Sequence, residues 1–557
     1  MIEQLSRYGL TQKRGRLYEI ALGALGALGF APFYLAPITL FVLALLTLRL
    51  YHAHQQGLGR KRGFMIGFAF GFGFFLAGLY WIGAAFTMRP GYLWLMPPLV
   101  GGLVALLATF WGAAAAIAIG PSHKTAPIGV APAQPSFKVG IFALSFMSLL
   151  FIAEWLRGHV FGGLPWNLPA YIIKASHPLS QISSLIGVYG QSLLILIATA
   201  FCAQVIGSKS LKTARAPMAA LVIGTAALWL YGMQRLNTAP TETYHSNARL
   251  RLVTVDFNQK DKFDPAKDHA IVTEFIRQSI SPGFEDVTHV IWPEGALDGF
   301  ALDDASLLYA VGHAFSSQGR PPPIWIFNSI RTEQKYDQNG KPRNHYYSSI
   351  IEVTFDETGI PTLSNFSDKT RLVPFGEYIP FHRFFESFGI ETLTSAVASF
   401  SAAKRKEAMA LTGLPPVAPL ICYEGIFPDI SHNMTGDPTW SLILSNDGWY
   451  GRGTGPYQHA NQNRYRAIET GRALIRASSG GESGLYNQMG EVINIQKSRK
   501  TGVLDVLLPK NPTYHYNFLQ FPIISLLISL FISIYAIVLK QKKTSDLGTK
   551  EDPERAF

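Results

Sequence analysis

Three short stretches carry the residue types that acyl chemistry needs. VAPLICYEGIFP places Cys422, one of only two cysteines in the chain, at the end of an apolar run and just ahead of Pro428 and Asp429, which suit a first helical turn. Residues 417–421 read as a buried strand, so Cys422 falls on a sharp strand-to-helix connection that exposes a side chain as a nucleophile. HVIWPEGAL delivers Glu294 to a strand end as a general base, and DKTRLVPFGEYIP sets Lys369 ahead of Leu372, Val373 and a turn at 374–377. A free thiol is only a few per cent thiolate at neutral pH, so a nucleophilic cysteine needs a base for its proton and a cation that favours the anion. Each residue also has a plain structural reading: an isolated cysteine fills core, and strand-end glutamates and lysines are solvated. Lys335 and Lys341 are rival lysines, but QKYDQNGKPRN reads as an exposed hairpin tip.

In the order Glu, Lys, Cys, with these flanking residues, the three stretches closely resemble the nitrilase superfamily. Its hydrolases and acyltransferases use a Glu-Lys-Cys triad. The resemblance implies Glu294 as base, Lys369 as the cation that also meets the oxyanion, and Cys422 as nucleophile. It further implies that Glu377 holds the lysine and that Tyr423 and Glu424 line the site.

The elements that must position these residues divide the chain. Its 557 residues, 48% hydrophobic with only 15% charged, point to membrane spans beside a soluble part. Residues 20–50 are too long for one span and are broken by Pro32 and Pro37, which predicts two short helices. Further spans are expected at 64–86, 92–119, 139–155, 182–206 and 217–234, and a last one at 518–539. The first apolar region runs on into more spans without an A-x-A-like site, which argues against a cleavable signal peptide. The flanks and loops 1–19, 49–63, 120–138, 207–216 and 540–557 hold eighteen lysines and arginines, whereas the opposite loops hold Arg89, Arg157 and Lys174. By the positive-inside rule both termini face the cytoplasm and the long segment between spans lies outside it. Those cytoplasmic pieces account for the whole net charge of +11, so nucleic-acid binding has no basic patch to rest on.

The soluble part, about 238–511, alternates strand and helix. Strands are expected at 250–257, 289–292, 324–328, 346–353, 417–421, 441–444, 491–495 and 502–508, with helices at 264–280 and 457–477. This is the pattern of a two-sheet α/β layer protein. Cys422 and Cys202 propose no disulfide framework, Cys202 being packed in an apolar helix, and neither cysteines nor the scattered histidines show metal-ligand spacing.

A multi-span part, a nitrilase-like domain and one span after it resemble, over essentially the whole chain, the bacterial apolipoprotein N-acyltransferase family. The segments that carry the match are WPEGAL, FNSI, KTRLVPFGEYIP, ICYEGIFP, SNDGWYG and QHANQNRYRAIETGRALIRASSGGESG. The loop VTVDFNQKDKFDP departs from the family's pattern at Asp256, Phe257 and Phe263. The resemblance implies a multi-span α-helical membrane domain at 1–236, a periplasmic nitrilase-like αββα sandwich at 237–512, and a span with a cytoplasmic tail at 513–557. It implies a bacterial inner-membrane enzyme with a phospholipid acyl donor and a diacylated apolipoprotein acceptor, working through a thioester and without metal or organic cofactor. A membrane-tethered amidase or nitrilase is the alternative within enzymes; a transporter is the alternative outside them, although only Glu19 and Glu154 supply acids near the spans.

Several side chains are expected to meet lipid. Phe381, Phe384, Phe385 and Phe388 recur at helical spacing and form one aromatic face, either core or a lipid-dipping arm. Trp449 and Tyr450 follow the SND turn as lid candidates. In EWLRGHVFGGLPWN, Trp155, Arg157 and Trp166 are placed to meet headgroups or to anchor at the interface.

Overall fold

The computed structural model describes residues 2–10, 14–88, 90–122, 135–238, 242–297, 299–336, 339–379, 399–510, 525–530 and 532. They fall into two compact units. One comprises Met1–Tyr80, Pro97–Gln234 and Asn517–Phe557; the other comprises Trp81–Met96 and Arg235–Tyr516.

Among the described residues, six helical stretches of the first region are long and apolar enough to cross a membrane. They are Ala36–Gln55, Arg60–Met88, Gly91–Ile119, Lys138–Gly162, Ser183–Ile206 and Leu211–Asn237. The broken run at 20–50 becomes a 13-residue helix, Arg14–Gly26, a single 3-10 turn, and a new helix that starts at Ala36 with Pro37 in its first turn. Glycines let helix Arg14–Gly26 close on helix Arg60–Leu79: a methyl group on Gly23 would lie 1.9 Å from the Phe70 carbonyl oxygen, and one on Gly73 would lie 1.9 Å from that of Ile20. The two acids near the spans are in buried ion pairs, Glu19 with Arg49 and Glu154 with Arg157. Arg49 and Arg157 are therefore internal side chains and not loop charges. The span expected at 518–539 lies almost wholly outside the described residues.

The second unit is built on two six-stranded sheets. The first has the order β12-β1-β2-β3-β4-β5, from β1 (Thr243–Thr254), β2 (His289–Ile291), β3 (Ile324–Tyr336), β4 (Pro342–Phe355), β5 (Pro361–Asp368) and β12 (Gly502–Lys510). The second has the order β11-β10-β9-β8-β7-β6, from β6 (Met409–Leu411), β7 (Leu414–Ile421), β8 (Trp440–Asn446), β9 (Ala473–Ser479), β10 (Ser483–Tyr486) and β11 (Val492–Gln496). Each sheet has three parallel strands at its centre, β1-β2-β3 and β7-β8-β9, flanked by antiparallel ones.

Leu250, Leu252, Ile291, Ile326, Leu442, Leu444 and Ile475 fill the space between the sheets. Helices Pro265–Ser279 and Ala305–Ser316 cover the outer face of the first sheet through Phe275, Val311 and Phe315 against Trp292 and Trp325. Helix Gly455–Thr470 lies against β9 of the second sheet. The result is an αββα sandwich. The helix expected at 457–477 ends early, because Gly471 takes the left-handed conformation (φ 65°) that terminates helices, and Ala473–Ser479 becomes strand β9.

Candidate active site

Parallel strands lead their following residues to a common edge, the usual place for a site in an α/β sheet. Glu294 follows β2, Cys422 follows β7, and Asn446 closes β8; Lys369 is the first residue after β5. Glu294 also bridges the sheets: its backbone pairs with Ser478, and Ser479 Oγ donates to its carbonyl at 2.9 Å.

The base and the cation share one carboxylate cluster. Lys369 Nζ donates to Glu377 Oε1 at 2.7 Å and lies 3.8 Å from Glu294 Oε1. Glu377 is held in turn by the Val373 N–H, which donates to Oε2 at 2.8 Å, and Glu294 Oε2 accepts from the Asn446 N–H at 2.8 Å. Burial opposes the charge on Lys369, but Glu377, Glu294 and Cys422 outweigh it and hold its pKa above the ordinary lysine value. Burial pushes the Glu294 carboxyl up, and the nearby Lys369 charge only partly offsets this.

Cys422 opens a 3-10 turn, Cys422–Ile426, with φ +44°, the left-handed backbone region that a non-glycine residue rarely occupies. Its side chain contacts Tyr450 Oη at 3.6 Å, and the Glu294 charge acts on it. Burial first and the Glu294 charge second push the thiol up to about 12, against the opposing pull of Lys369. The resting site therefore pairs a neutral thiol with a carboxylate whose proton affinity is raised. Such a pair is suited to removing the thiol proton during attack on a carbonyl carbon and not before it.

The family model described as apolipoprotein N-acyltransferase N-terminal domain matches residues 22–201, and the one described as carbon-nitrogen hydrolase matches residues 282–517. Three similar proteins are each named apolipoprotein N-acyltransferase. That of Rhodopseudomonas palustris is 32% identical over 87% of this chain and 88% of its own. That of Bradyrhizobium diazoefficiens is 34% identical over 88% and 89%, and that of Caulobacter vibrioides 30% identical over 89% of each. This chain belongs to the apolipoprotein N-acyltransferase family. It is a membrane protein with a nitrilase-superfamily domain and is an acyltransferase.

Other residues singled out from sequence fall into different places in this family member. Glu424 is fully buried and has its own partners: it accepts from the Thr370 N–H and hydroxyl, both at 2.7 Å, from the Ile421 N–H at 2.9 Å, and pairs with Lys406 at 2.8 Å. It ties the turn after β7 to the residue that follows Lys369. Tyr423 packs edge-on against Phe427 with ring centres 5.0 Å apart. Tyr450 touches the thiol itself, whereas Trp449 is half-buried and faces Phe263, ring centres 6.5 Å apart. These two rings, with Lys262, Asn328, Glu294 and Glu377, border a cavity of about 130 Å³.

The headgroup reading of Arg157 and Trp166 is corrected. Both are buried, and Arg157 spends its donors on Glu154 and on the Leu164 and Trp166 carbonyls. Lys335, the rival lysine, donates to Tyr347 Oη at 2.8 Å within the β3-β4 hairpin. Phe381, Phe384, Phe385 and Phe388 lie outside the described residues.

Sequence reasoning passed over Trp81. It packs edge-on against Tyr450, ring centres 4.6 Å apart, and donates to Gln458 Oε1 at 3.2 Å. The segment Trp81–Met96 thus belongs to the second unit although it overlaps the ends of two of the apolar helical stretches. Its only signal was an aromatic run, GLYWIGAAF, which hydropathy alone absorbs into a membrane helix.

Proposed function

We propose that this protein moves a fatty acyl chain from a membrane phospholipid to the N-terminal amine of the diacylglyceryl-cysteine of an apolipoprotein, by way of a thioester on Cys422. The supporting observation is the cluster in which Lys369 donates to Glu377 and stands 3.8 Å from Glu294, whose charge acts on the buried Cys422 thiol. In the first half-reaction Cys422 Sγ attacks the ester carbonyl as Glu294 accepts the thiol proton. The Lys369 ammonium meets the oxyanion, a contribution of about 3–4 kcal/mol for a well-placed donor. Collapse expels a lysophospholipid, which leaves with the proton from Glu294. In the second half the acceptor amine attacks the thioester, Glu294 takes the amine proton, and the proton returns to sulfur as the amide forms. Both halves balance without a metal or organic cofactor.

A phospholipid donor accounts for the membrane part. At about 0.8 kcal/mol per methylene, drawing a sixteen-carbon chain into water costs about 12 kcal/mol, so the site must work at the bilayer surface. In this reading residues 1–236 supply about seven helices with the N-terminus in the cytoplasm, 237–512 the periplasmic catalytic domain, and 513–557 a last inner-membrane span and tail. The charge bias of the loops supports that orientation. Alkaline phosphatase fused after Gln234 should be active and fused after Lys540 inactive; the reverse pattern overturns the orientation.

The direct test is the intact mass of a lipoprotein from bacteria with and without this protein. Loss of the protein should remove one acyl group as an amide, and the wild type but not Cys422→Ala should restore it. An unchanged mass on deletion sinks the proposal.

A further inference from the structure

The Cys422 carbonyl oxygen faces a buried chain of polar groups that the proposed reaction does not use. His459, in the middle of helix Gly455–Thr470, stands with Nε2 3.1 Å from the Cys422 carbonyl oxygen and Nδ1 2.8 Å from Asp447 Oδ1. A carbonyl oxygen only accepts, so Nε2 donates to it. Asp447 also accepts from Ser445 Oγ at 2.7 Å and from Arg476 Nη2 at 2.5 Å, and Arg476 Nε donates to Asn463 Oδ1 at 2.9 Å. His459, Asp447, Ser445 and Arg476 are all fully buried. Burial and these hydrogen bonds hold the imidazole in place, and an ionised carboxylate makes the stronger class of hydrogen bond.

What the chain holds is a strained backbone at the nucleophile. Cys422 has φ +44°, a conformation that persists only where its surroundings impose it. A hydrogen bond to the Cys422 carbonyl acts on the peptide immediately following that φ. It fixes the direction in which the turn leaves β7, and with it the direction of the Cys422 side chain toward Glu294. Tyr450, on the thiol's other side, also packs edge-on against the His459 ring, centres 5.5 Å apart.

We propose that His459, oriented by Asp447 and Arg476, is a positioning residue that holds the left-handed turn at Cys422 through its carbonyl and so aims the sulfur. The role rests on Cys422 being the nucleophile proposed above. It differs from that of a core histidine, whose bond to the Cys422 carbonyl would serve the stability of the fold and not the aim of the sulfur.

The two ring nitrogens can be tested separately in the full-length protein, in detergent with phospholipid donor and diacylated lipopeptide. The amide of Gln reaches about as far as Nε2, and that of Asn about as far as Nδ1. His459→Gln keeps the donor to the Cys422 carbonyl and should hold kcat within about tenfold. His459→Asn keeps only the contact with Asp447 and should lose about a hundredfold in kcat, the scale of an ångström-sized misplacement, with donor KM unchanged. The thermal midpoints of the two variants should be alike. Equal kcat values, a more active Asn variant, or losses that follow the thermal midpoint would overturn the proposal. Cys422→Ala in the same assay separates the two readings. If it is inactive, a failed Gln/Asn contrast indicts His459 alone; if it is active, the nucleophile assignment and the positioning role fall together.

Discussion

Glu377 stands closer to Lys369 than Glu294 does, at 2.7 Å against 3.8 Å. One carboxylate therefore anchors the ammonium while the other is left to exchange a proton. The negative charge of Glu377 also contributes to raising the Glu294 carboxyl, after burial and against Lys369. In the wild type, kcat/KM for acylation should fall as pH drops through the raised Glu294 value, above the ordinary 4.5. No second limb should arise from the thiol below about pH 9, since Cys422 is pushed up to about 12. Glu377→Gln removes a negative neighbour, so the acid limb should move to lower pH, and kcat should fall about a hundredfold as the base weakens and the lysine loses its anchor. A pH–rate profile with a short soluble ester decides this. A rate climbing through pH 7–9 in the wild type would show that a free thiolate, and not base-assisted attack, sets the rate.

Glu424 is the most heavily bonded carboxylate near the site. Burial opposes its charge, yet Lys406 and Thr370 outweigh that and hold its pKa below the usual 4.5. A carboxyl lowered in the folded state stabilises the fold in full above its unfolded value, and the contribution is lost as pH falls through the folded value. Glu424→Gln should therefore cost about 3 kcal/mol at pH 7, because it leaves buried Lys406 without its counter-charge. The gap between variant and wild type should narrow as pH falls below the usual carboxylate range. Denaturant unfolding of both proteins at pH 7 and in acid measures it, and a pH-independent gap would remove the electrostatic account.

Much of this was legible in the sequence, for reasons that also explain what was not. Glu294 and Cys422 each follow an apolar run, and a strand end marks them without knowledge of the partner; Lys369 follows the polar PTLSNFSD and was marked only by the residues after it. Tertiary bonds left no such mark: Glu424, two residues after Cys422, was expected to line the site, and nothing in its position told of the bonds to Lys406 and Thr370. Arg157 looked interfacial because it ends a span, but a glutamate three residues earlier and two carbonyls seven and nine residues later take its donors. Helix Gly455–Thr470 is buried on every side except at Tyr457, so its polar residues, His459 and Asn463 among them, form no pattern that marks an inner face. Strand β9 was taken for that helix's end because ALIRASS has no period-2 alternation: all seven residues are buried.

The backbone at Cys422 allows a test that needs no substrate. At an ordinary site glycine is less stable than alanine, by about 0.5–1 kcal/mol in a helix or strand, because it gives up more chain entropy. At φ +44° alanine instead carries a strain of about 1 kcal/mol or more that glycine escapes. Cys422→Gly should therefore be at least as stable as Cys422→Ala, which inverts the usual order. Thermal midpoints of the two inactive proteins in the same detergent decide it. A clearly less stable glycine variant would mean that the turn is relaxed in solution.

Transfer and hydrolysis differ in what a cysteine enzyme does when the acceptor is missing. A site meant for aminolysis must keep water from the thioester until a scarce membrane partner arrives, so with phospholipid alone the acyl group should accumulate on Cys422. With a labelled acyl chain the wild type should show a hydroxylamine-sensitive adduct and Cys422→Ala none. Glu294→Gln and Lys369→Met should form the adduct at least a hundredfold more slowly, since they remove the proton acceptor and the oxyanion donor. A diacylated lipopeptide with a free N-terminal amine should then discharge the label into an amide. Its N-acetylated copy should not, because an amide nitrogen is not nucleophilic. Steady release of free fatty acid without acceptor, and no trapped adduct, would overturn the two-step transfer and favour the hydrolase.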